Sequence, residues 1–416
     1  MSRLKLVLAL IGLGVLVFVG YAQLQDRRTP LEQGAAEGPL HLTGTPVERG
    51  RYLAAAADCT ACHTVPGEAD MAGGVAFTLP FGTIYSSNLT PDPDTGIGGW
   101  SDDEFVTAVR SGIGRHGKHL YPAHPYTSYA GMARNDVLAI KAYLDSLPAA
   151  HRDVPANAVS FPLSQRGLLT LWNAVYRPAT VGFAADAAHD ATWNQGAYLA
   201  NALGHCGECH TPRTIAYGLR QGAALSGAVT SGWKAYDITA EGLAQWSADD
   251  LERYLAIGTA PRHGLAAGPM KAVVAFDTGL LTPSDRAALV QYLLAGRRDA
   301  AAGARPLPTS VATPDSLGAH LYAGACAGCH SETPTVPAAV GSLVGASSAR
   351  DPKGTNVLRL LAMGSGHGVD PRGGMPAYGT AYSDAERAAL ANYVLAQWGG
   401  VTPALTPRDA QQAAIP

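Results

Sequence analysis

The chain has 416 residues, room for about two to four ordinary domains, and its apolar fraction of 47% suits globular cores. A formal net charge of −3 with 15% charged residues excludes both a nucleic-acid footprint and a polyacidic tail, so electrostatics names no partner. Aromatic residues at 7% leave little rigid bulk for packing, which a large prosthetic group in each small domain would supply.

The N-terminus reads as an export signal. Arg3 and Lys5 form a positive flank before an apolar run from Leu6 to Ala22. That run, roughly 17 residues, is short against the roughly 20 that span a bilayer. Gly20-Tyr21-Ala22 is a passable small-x-small cleavage site without the usual Ala-x-Ala. An uncleaved anchor is the preferred reading and a removed signal peptide the alternative; either puts the rest of the chain outside the cytoplasm.

Three repeats follow. The first runs over 45–148, opens with Gly50-Arg51-Tyr52-Leu53 and reaches Cys59-Thr60-Ala61-Cys62-His63. Ser101 before three acidic residues predicts a helix N-cap, and a last helix runs from Asn135 to Leu144. Between them lies the Pro-flanked loop Leu120 to Tyr126, which carries His124. Residues 149–189 connect to the next repeat, yet Leu168 to Tyr176 is too apolar for a solvated linker. That stretch is expected to pack across the first two domains; contact with a membrane surface or a partner subunit is the alternative.

The second repeat, 190–296, has Gly196-Ala197-Tyr198-Leu199 ahead of Cys206-Gly207-Glu208-Cys209-His210. Asp237-Ile238-Thr239 through Trp246-Ser247 echoes Asn88-Leu89-Thr90 through Trp100-Ser101, and a last helix runs from Ser284 to Leu294. After a looser linker, 297–314, the third repeat, 315–400, presents Gly318-Ala319-His320-Leu321-Tyr322, then Cys326-Ala327-Gly328-Cys329-His330, and closes with a helix from Ser383 to Leu395. Each last helix has Ile or Leu three residues before Tyr: Ile140/Tyr143, Leu289/Tyr292, Leu390/Tyr393. Period-two runs are scarce, so strands should be few. The tail, 401–416, reads as polar.

All six cysteines sit in Cys-x-x-Cys-His groups. Covalent haem attachment needs two thiols spaced for both vinyl groups and a histidine placed directly after to reach the iron. A thioredoxin-type dithiol or a zinc site competes for one Cys-x-x-Cys, but not for three that each carry a following histidine and use every cysteine. Three covalently bound haem c groups are therefore expected on Cys59/Cys62, Cys206/Cys209 and Cys326/Cys329, with His63, His210 and His330 as proximal ligands. Each histidine should donate its other ring nitrogen to a backbone carbonyl, held by a loop stiffened at Pro66, Pro212 or Pro334.

The sixth ligands lie further along. Met375, in Gly373-Gly374-Met375-Pro376, and Met270, in Gly268-Pro269-Met270, stand on Gly/Pro loops ahead of the last helices; Met363, in a helical pattern, is assigned to the core. The first repeat departs: His124 stands almost the same distance beyond His63 as Met270 does beyond His210. His124 is the candidate, with His116, His119 and Met132 as substitutes or a five-coordinate iron as the alternative. A bis-histidine centre lacks the soft thioether that favours ferrous iron, so the first haem should have the lowest potential. The remaining histidines are assigned surface or structural roles; His205, directly before Cys206, is given none.

With Asn88-Leu89-Thr90-Pro91-Asp92, Thr95-Gly96-Ile97-Gly98-Gly99-Trp100 and Leu120-Tyr121-Pro122-Ala123-x-Pro125-Tyr126, the sequence resembles the triple-haem cytochrome c subunit of bacterial membrane-bound dehydrogenases over roughly 45–400. The resemblance implies an all-α fold of three tandem class I cytochrome c domains after an N-terminal hydrophobic segment (1–24). It implies an electron-transfer subunit with no catalytic residues. Its partner is a periplasmic subunit that oxidises an alcohol, aldehyde, sugar, sugar acid or N-heterocycle with a quinone cofactor, flavin or molybdenum centre. Ubiquinone or a terminal oxidase is the acceptor, at the periplasmic side of the cytoplasmic membrane. The family commonly has methionine where this chain has His124, which puts the first haem's spin state and potential in question. Two other classes stay open: a self-standing multihaem oxidoreductase using an open sixth site, and a sensor or storage cytochrome.

Overall fold

The computed structural model describes residues 3–28, 30–296, 307–330, 342–365 and 374–415. The chain divides into two compact units, Met1–Glu208 with Arg213–Leu219, and Cys209–Pro212 with Arg220–Pro416. The division runs through the second cysteine motif.

In the first unit, helix α1 (Arg3–Arg27) packs on α7 (Leu169–Tyr176). Ala22, proposed from sequence as a cleavage position, is fully buried within α1. Among the described residues no helix is long and apolar enough to cross a membrane, so the anchor reading gains no support from the fold. Helix α2 (Pro46–Ala56) starts at a Thr45/Glu48 capping box, and α3 (Cys59–His63) carries the first motif. Helix α4 (Asp102–Ser111) starts at the predicted Ser101 cap, reinforced by Glu104, and stops at Gly112, whose φ of 68° permits the left-handed cap. Then come the short α5 (Tyr126–Tyr129) and α6 (Arg134–Asp145).

Helices α2 and α6 form the first repeat's frame. They cross at Gly50, where a Cβ would stand 1.8 Å from the Ala139 carbonyl oxygen, so only glycine lets the backbones meet. Leu53, Phe105, Val137, Ile140 and Leu144 fill the core beside this crossing. The 149–189 connection is not a free linker: Leu169 and Asn173 of α7 are buried, and Trp172 donates to the Ala216 carbonyl at 2.8 Å. Its outer face leaves Phe161, Leu163, Leu168 and Val175 exposed. Helix α8 (Ala191–Tyr198) leads through a wide turn at Leu199–Leu203 into α9 (Gly207–His210).

In the second unit, α10 (Ala248–Ile257) repeats the α4 pattern, with Ser247 accepting from the Asp250 amide and Gly258 closing at φ 77°. Helices α11 (Pro269–Phe276) and α12 (Pro283–Leu294) follow. The α12 cap is Thr282, ahead of the Ser284 that the sequence suggests, because Pro283 fits the first helical residue. Helices α13 (Leu317–Ala325), α14 (Thr355–Met363), α15 (Asp384–Gly399) and α16 (Pro407–Ala413) build the third repeat. Gly318 repeats the role of Gly50: its Cβ would lie 2.2 Å from the Ala389 carbonyl of α15. The tail is not merely polar. A Thr406/Asp409 capping box starts α16, which buries Ala410 against the third core.

Strands among the described residues are short ladders of two to four residues, mostly hairpins such as Ala76–Leu79 with Gly82–Tyr85 and Ala228–Thr230 with Trp233–Ala235. They stiffen loops between helices rather than form a sheet core.

Candidate functional site

The first motif is entered through Asp58, which sits in the left-handed region at φ 52° and turns the chain from α2 into α3. His63 is half-buried, and its Nδ1 lies 2.7 Å from the Ser87 carbonyl oxygen. A carbonyl only accepts, so Nδ1 carries the hydrogen and Nε2 keeps a lone pair for a metal. Burial holds this imidazole below its ordinary pKa, against the pull of the Ser87 bond. The carbonyl is thus supplied as expected, but by residue 87 beyond the Pro66 loop. The His63 carbonyl itself accepts from the Gly73 amide at 2.8 Å.

His124, the candidate sixth ligand, lies in the same repeat. Its Nε2 is buried with no hydrogen-bond partner, while the ring bonds to the backbone at Val109 and Ala108 through its other nitrogen. Burial, then the nearby His63 and His205 rings, push its pKa down to about 3, so it is neutral. A buried neutral imidazole with an orphaned Nε2 within electrostatic reach of His63 is what a metal ligand requires before its metal is counted. Of the substitutes, His119 bonds to Asn173 at 3.2 Å and Thr170 at 3.4 Å. Met132 is fully buried. His116 sits in the hairpin turn. Neither of these two histidines shows an orphaned buried nitrogen comparable to the His124 Nε2.

The second motif repeats the proximal arrangement. The Nδ1 of His210 lies 2.6 Å from the Tyr236 carbonyl oxygen, and the Gly227 amide donates to the His210 carbonyl at 2.7 Å. Burial again lowers the histidine's pKa. The Tyr236 segment is held by the third repeat, within the same unit. Asn356 accepts from the Lys234 amide at 2.8 Å, donates to the Lys234 carbonyl at 2.9 Å and reaches the Tyr236 hydroxyl at 3.3 Å. The Lys234 ammonium meets the buried Asp351 carboxylate at 2.8 Å. Met270 is half-buried on the first turn of α11, not in a loop, because Gly268 at φ 56° and Pro269 start a helix there.

In the third motif Cys326 is buried and Cys329 exposed. The Tyr322 hydroxyl donates to the His330 carbonyl at 2.5 Å. Met375 lies in a loop pinned to Ser365 by two bonds, 2.8 Å and 3.0 Å, and packs against the cluster that holds Cys326. Met363, assigned from sequence to the core, ends α14 and is 43% exposed. Pro334 and Gly373 lie outside the described residues.

Sequence reasoning missed His205. Its ring bonds to the Ala57 backbone and meets the Tyr129 ring edge-on at 5.4 Å. Nothing in a lone histidine before a cysteine signals that contact. It depends on Tyr129, supplied by a distant segment of the fold.

Residues 47–148 match the cytochrome c family model, and residues 314–394 match the model described as cytochrome C oxidase, cbb3-type, subunit III. The chain is 35% identical over 390 residues to the gluconate 2-dehydrogenase cytochrome c subunit of Pantoea cypripedii, covering 87% of this chain and 88% of that one. It is 34% identical over 390 residues to the fructose dehydrogenase cytochrome subunit of Gluconobacter japonicus, covering 85% and 79%. A nicotinate dehydrogenase subunit of Pseudomonas putida is 40% identical over 387 residues, covering 89% of this chain but only 32% of that protein, so the chain spans about a third of its length.

Proposed function

The chain belongs to the cytochrome c subunits of dehydrogenases, and from that premise we propose that it carries three covalent haem c groups and relays electrons from a periplasmic catalytic subunit to ubiquinone or a terminal oxidase. It is an electron-transfer subunit, not the catalytic one. When bound, haem c supplies an iron that exchanges one electron at a time. The cysteine pairs 59/62, 206/209 and 326/329 fix the groups, and the domains are 45–148, 190–296 and 315–400. His63 with His124, His210 with Met270, and His330 with Met375 are the axial pairs.

The observation that carries this reading is the buried, unpartnered Nε2 of His124 beside His63. Ser87 and Tyr236 orient the proximal rings by accepting from Nδ1, which fixes the tautomer that ligates. Substrate oxidation releases two electrons together, and several one-electron centres in one chain reconcile that with a one-electron carrier. The exposed apolar face of 160–176 and α1 are where the membrane or the catalytic subunit would touch.

A self-standing oxidoreductase would need an open sixth position at the first centre, and the buried His124 ring speaks against it. The test is to express the full chain with a haem-attachment system and titrate its pyridine haemochrome. Three haems per chain, a low-spin first centre and co-purification of a dehydrogenase subunit are expected. Two haems, or substrate oxidation by the isolated chain with a high-spin first centre, would overturn the reading.

A further inference from the structure

Three rings and one carbonyl connect the first two attachment segments inside the first unit. The rings of His124 and Tyr129 are tilted with centroids 5.4 Å apart, and Tyr129 meets His205 edge-on at 5.4 Å. The Tyr129 hydroxyl donates to the Ala57 carbonyl at 2.6 Å, and the His205 ring bonds to the same residue's backbone. Ala57 stands two residues before Cys59, and His205 directly before Cys206. One cysteine of the first motif and one of the second are therefore joined by an unbroken path of backbone and side-chain bonds crossed by a single hydrogen bond.

We propose that His205, hydrogen-bonded to the Ala57 backbone and edge-on against Tyr129, is the electron-coupling bridge between the first and second haem centres. In each transfer one centre is oxidised by one electron and the other reduced by one. His205 changes neither oxidation state nor bonding, and no proton moves. The bridge supplies bonded and van der Waals contact through which electronic coupling can pass. A residue placed only to permit the turn need not be histidine: His205 is left-handed at φ 36°, a conformation that asparagine or glycine adopts with less strain. Asp58 holds the same place before the first motif and Ala325 before the third, so the attachment chemistry does not ask for an imidazole there.

The inference rests on the reading of the first two motifs as haem centres, and haem content separates the two failures. The experiment uses the full chain with haems attached. A flash of photoreductant injects one electron, and exchange between the first two centres is followed optically and by freeze-quenched electron paramagnetic resonance. Potentials of each centre are measured by redox titration. His205→Asn keeps the left-handed backbone and removes the ring, and a several-fold slower exchange at unchanged potentials and full haem content is expected. Tyr129→Phe keeps the ring contact and loses only the hydroxyl bond, so a smaller slowing is expected. An unchanged rate in His205→Asn, or a slowing explained by a shifted potential, overturns the bridge. Should His205→Asn fail to accumulate, Tyr129→Leu removes the same ring contact from the other side and is judged by the same criteria. A chain lacking haem at either motif would instead sink the underlying assignment.

Discussion

The first and second repeats share one scaffold and differ at the residue proposed as the distal ligand, His124 in one and Met270 in the other. Ser101 and Ser247 cap equivalent helices, Gly112 and Gly258 end them, and Ser87 and Tyr236 offer carbonyls to the two motif histidines. Even non-glycine left-handed residues recur in step: Asp58 with His205, Met71 with Leu225, His116 with Arg262. Each such residue costs roughly 1–2 kcal/mol, so their recurrence means the backbone path is held by the repeat as a whole. On that common path the first repeat places His124 in a turn with its Nε2 buried, and the second places Met270 on a helix. The backbone path around the two motif histidines is shared, while the residues at the proposed distal positions differ.

The largest expected effect comes from removing the difference. His124→Ala should leave the first centre five-coordinate and high-spin while the other two keep their spectra. His124→Met should keep it low-spin and raise its potential by a visible part of the ~0.8 V range that axial ligands command. Electron paramagnetic resonance with redox titration reads both, and a first centre indifferent to either change would remove His124 from the coordination sphere.

The residues preceding the motifs predict opposite pH slopes. Asp58 is buried with an unpartnered Oδ1, and burial raises its pKa from 3.8 to about 7. Because the folded value exceeds the unfolded one, its contribution is complete below pH ~4 and is lost as pH rises toward and through about 7. His205, lowered chiefly by burial, has the reverse sign: its cost is felt at acid pH and fades as pH approaches the ordinary histidine value. Asp58→Asn, which tolerates the left-handed backbone, should flatten the fall between pH ~4 and ~7 in hydrogen-exchange protection of α2 and α3. A slope that survives the substitution would move the titration elsewhere.

At the helix crossing the repeats should respond alike. Gly50→Ala drives a methyl group into the Ala139 carbonyl and should cost about 3 kcal/mol, read as a lower denaturation midpoint for the first repeat. Gly318→Ala should act similarly on the third. A neutral Gly50→Ala would mean that α2 and α6 separate without penalty.

What the sequence disclosed follows from how local each signal is. The motifs, the Ser101 and Ser247 caps and the last helices are short-range patterns, and the fold keeps them. The position of His124 stands out in the sequence because a repeat supplies a register to count from, and the fold buries its Nε2. The positions taken by Met363, α16 and Met270 were misread because burial and helix entry depend on neighbours: Met363 faces outward, Ala410 finds the third core, and Gly268-Pro269 starts a helix. The Thr406/Asp409 spacing was a visible signal for α16. The accepting carbonyls of Ser87 and Tyr236, and the partners of His205, lie far along the chain and carried no local sign.

The smallest effect tests whether the second motif answers to the third repeat. Asn356 brackets Lys234 with two backbone bonds and touches the Tyr236 hydroxyl, and the carbonyl of Tyr236 orients His210. Ser87, which offers the corresponding carbonyl of the first repeat, belongs to the first unit. Asn356→Ala should cost about 1 kcal/mol in stability, because the Lys234 ammonium keeps Asp351 and the freed backbone groups turn to water. Its sharper signature is spectroscopic: the His210 ring gains freedom to rotate, so the second centre's resonance lines shift or broaden while the first centre's stay fixed. Lys234→Met, which cuts the Asp351 pair and leaves Asn356 in place, separates the two attachments. If only Asn356→Ala moves the second centre, orientation passes through the backbone bracket; if only Lys234→Met does, it passes through the buried ion pair.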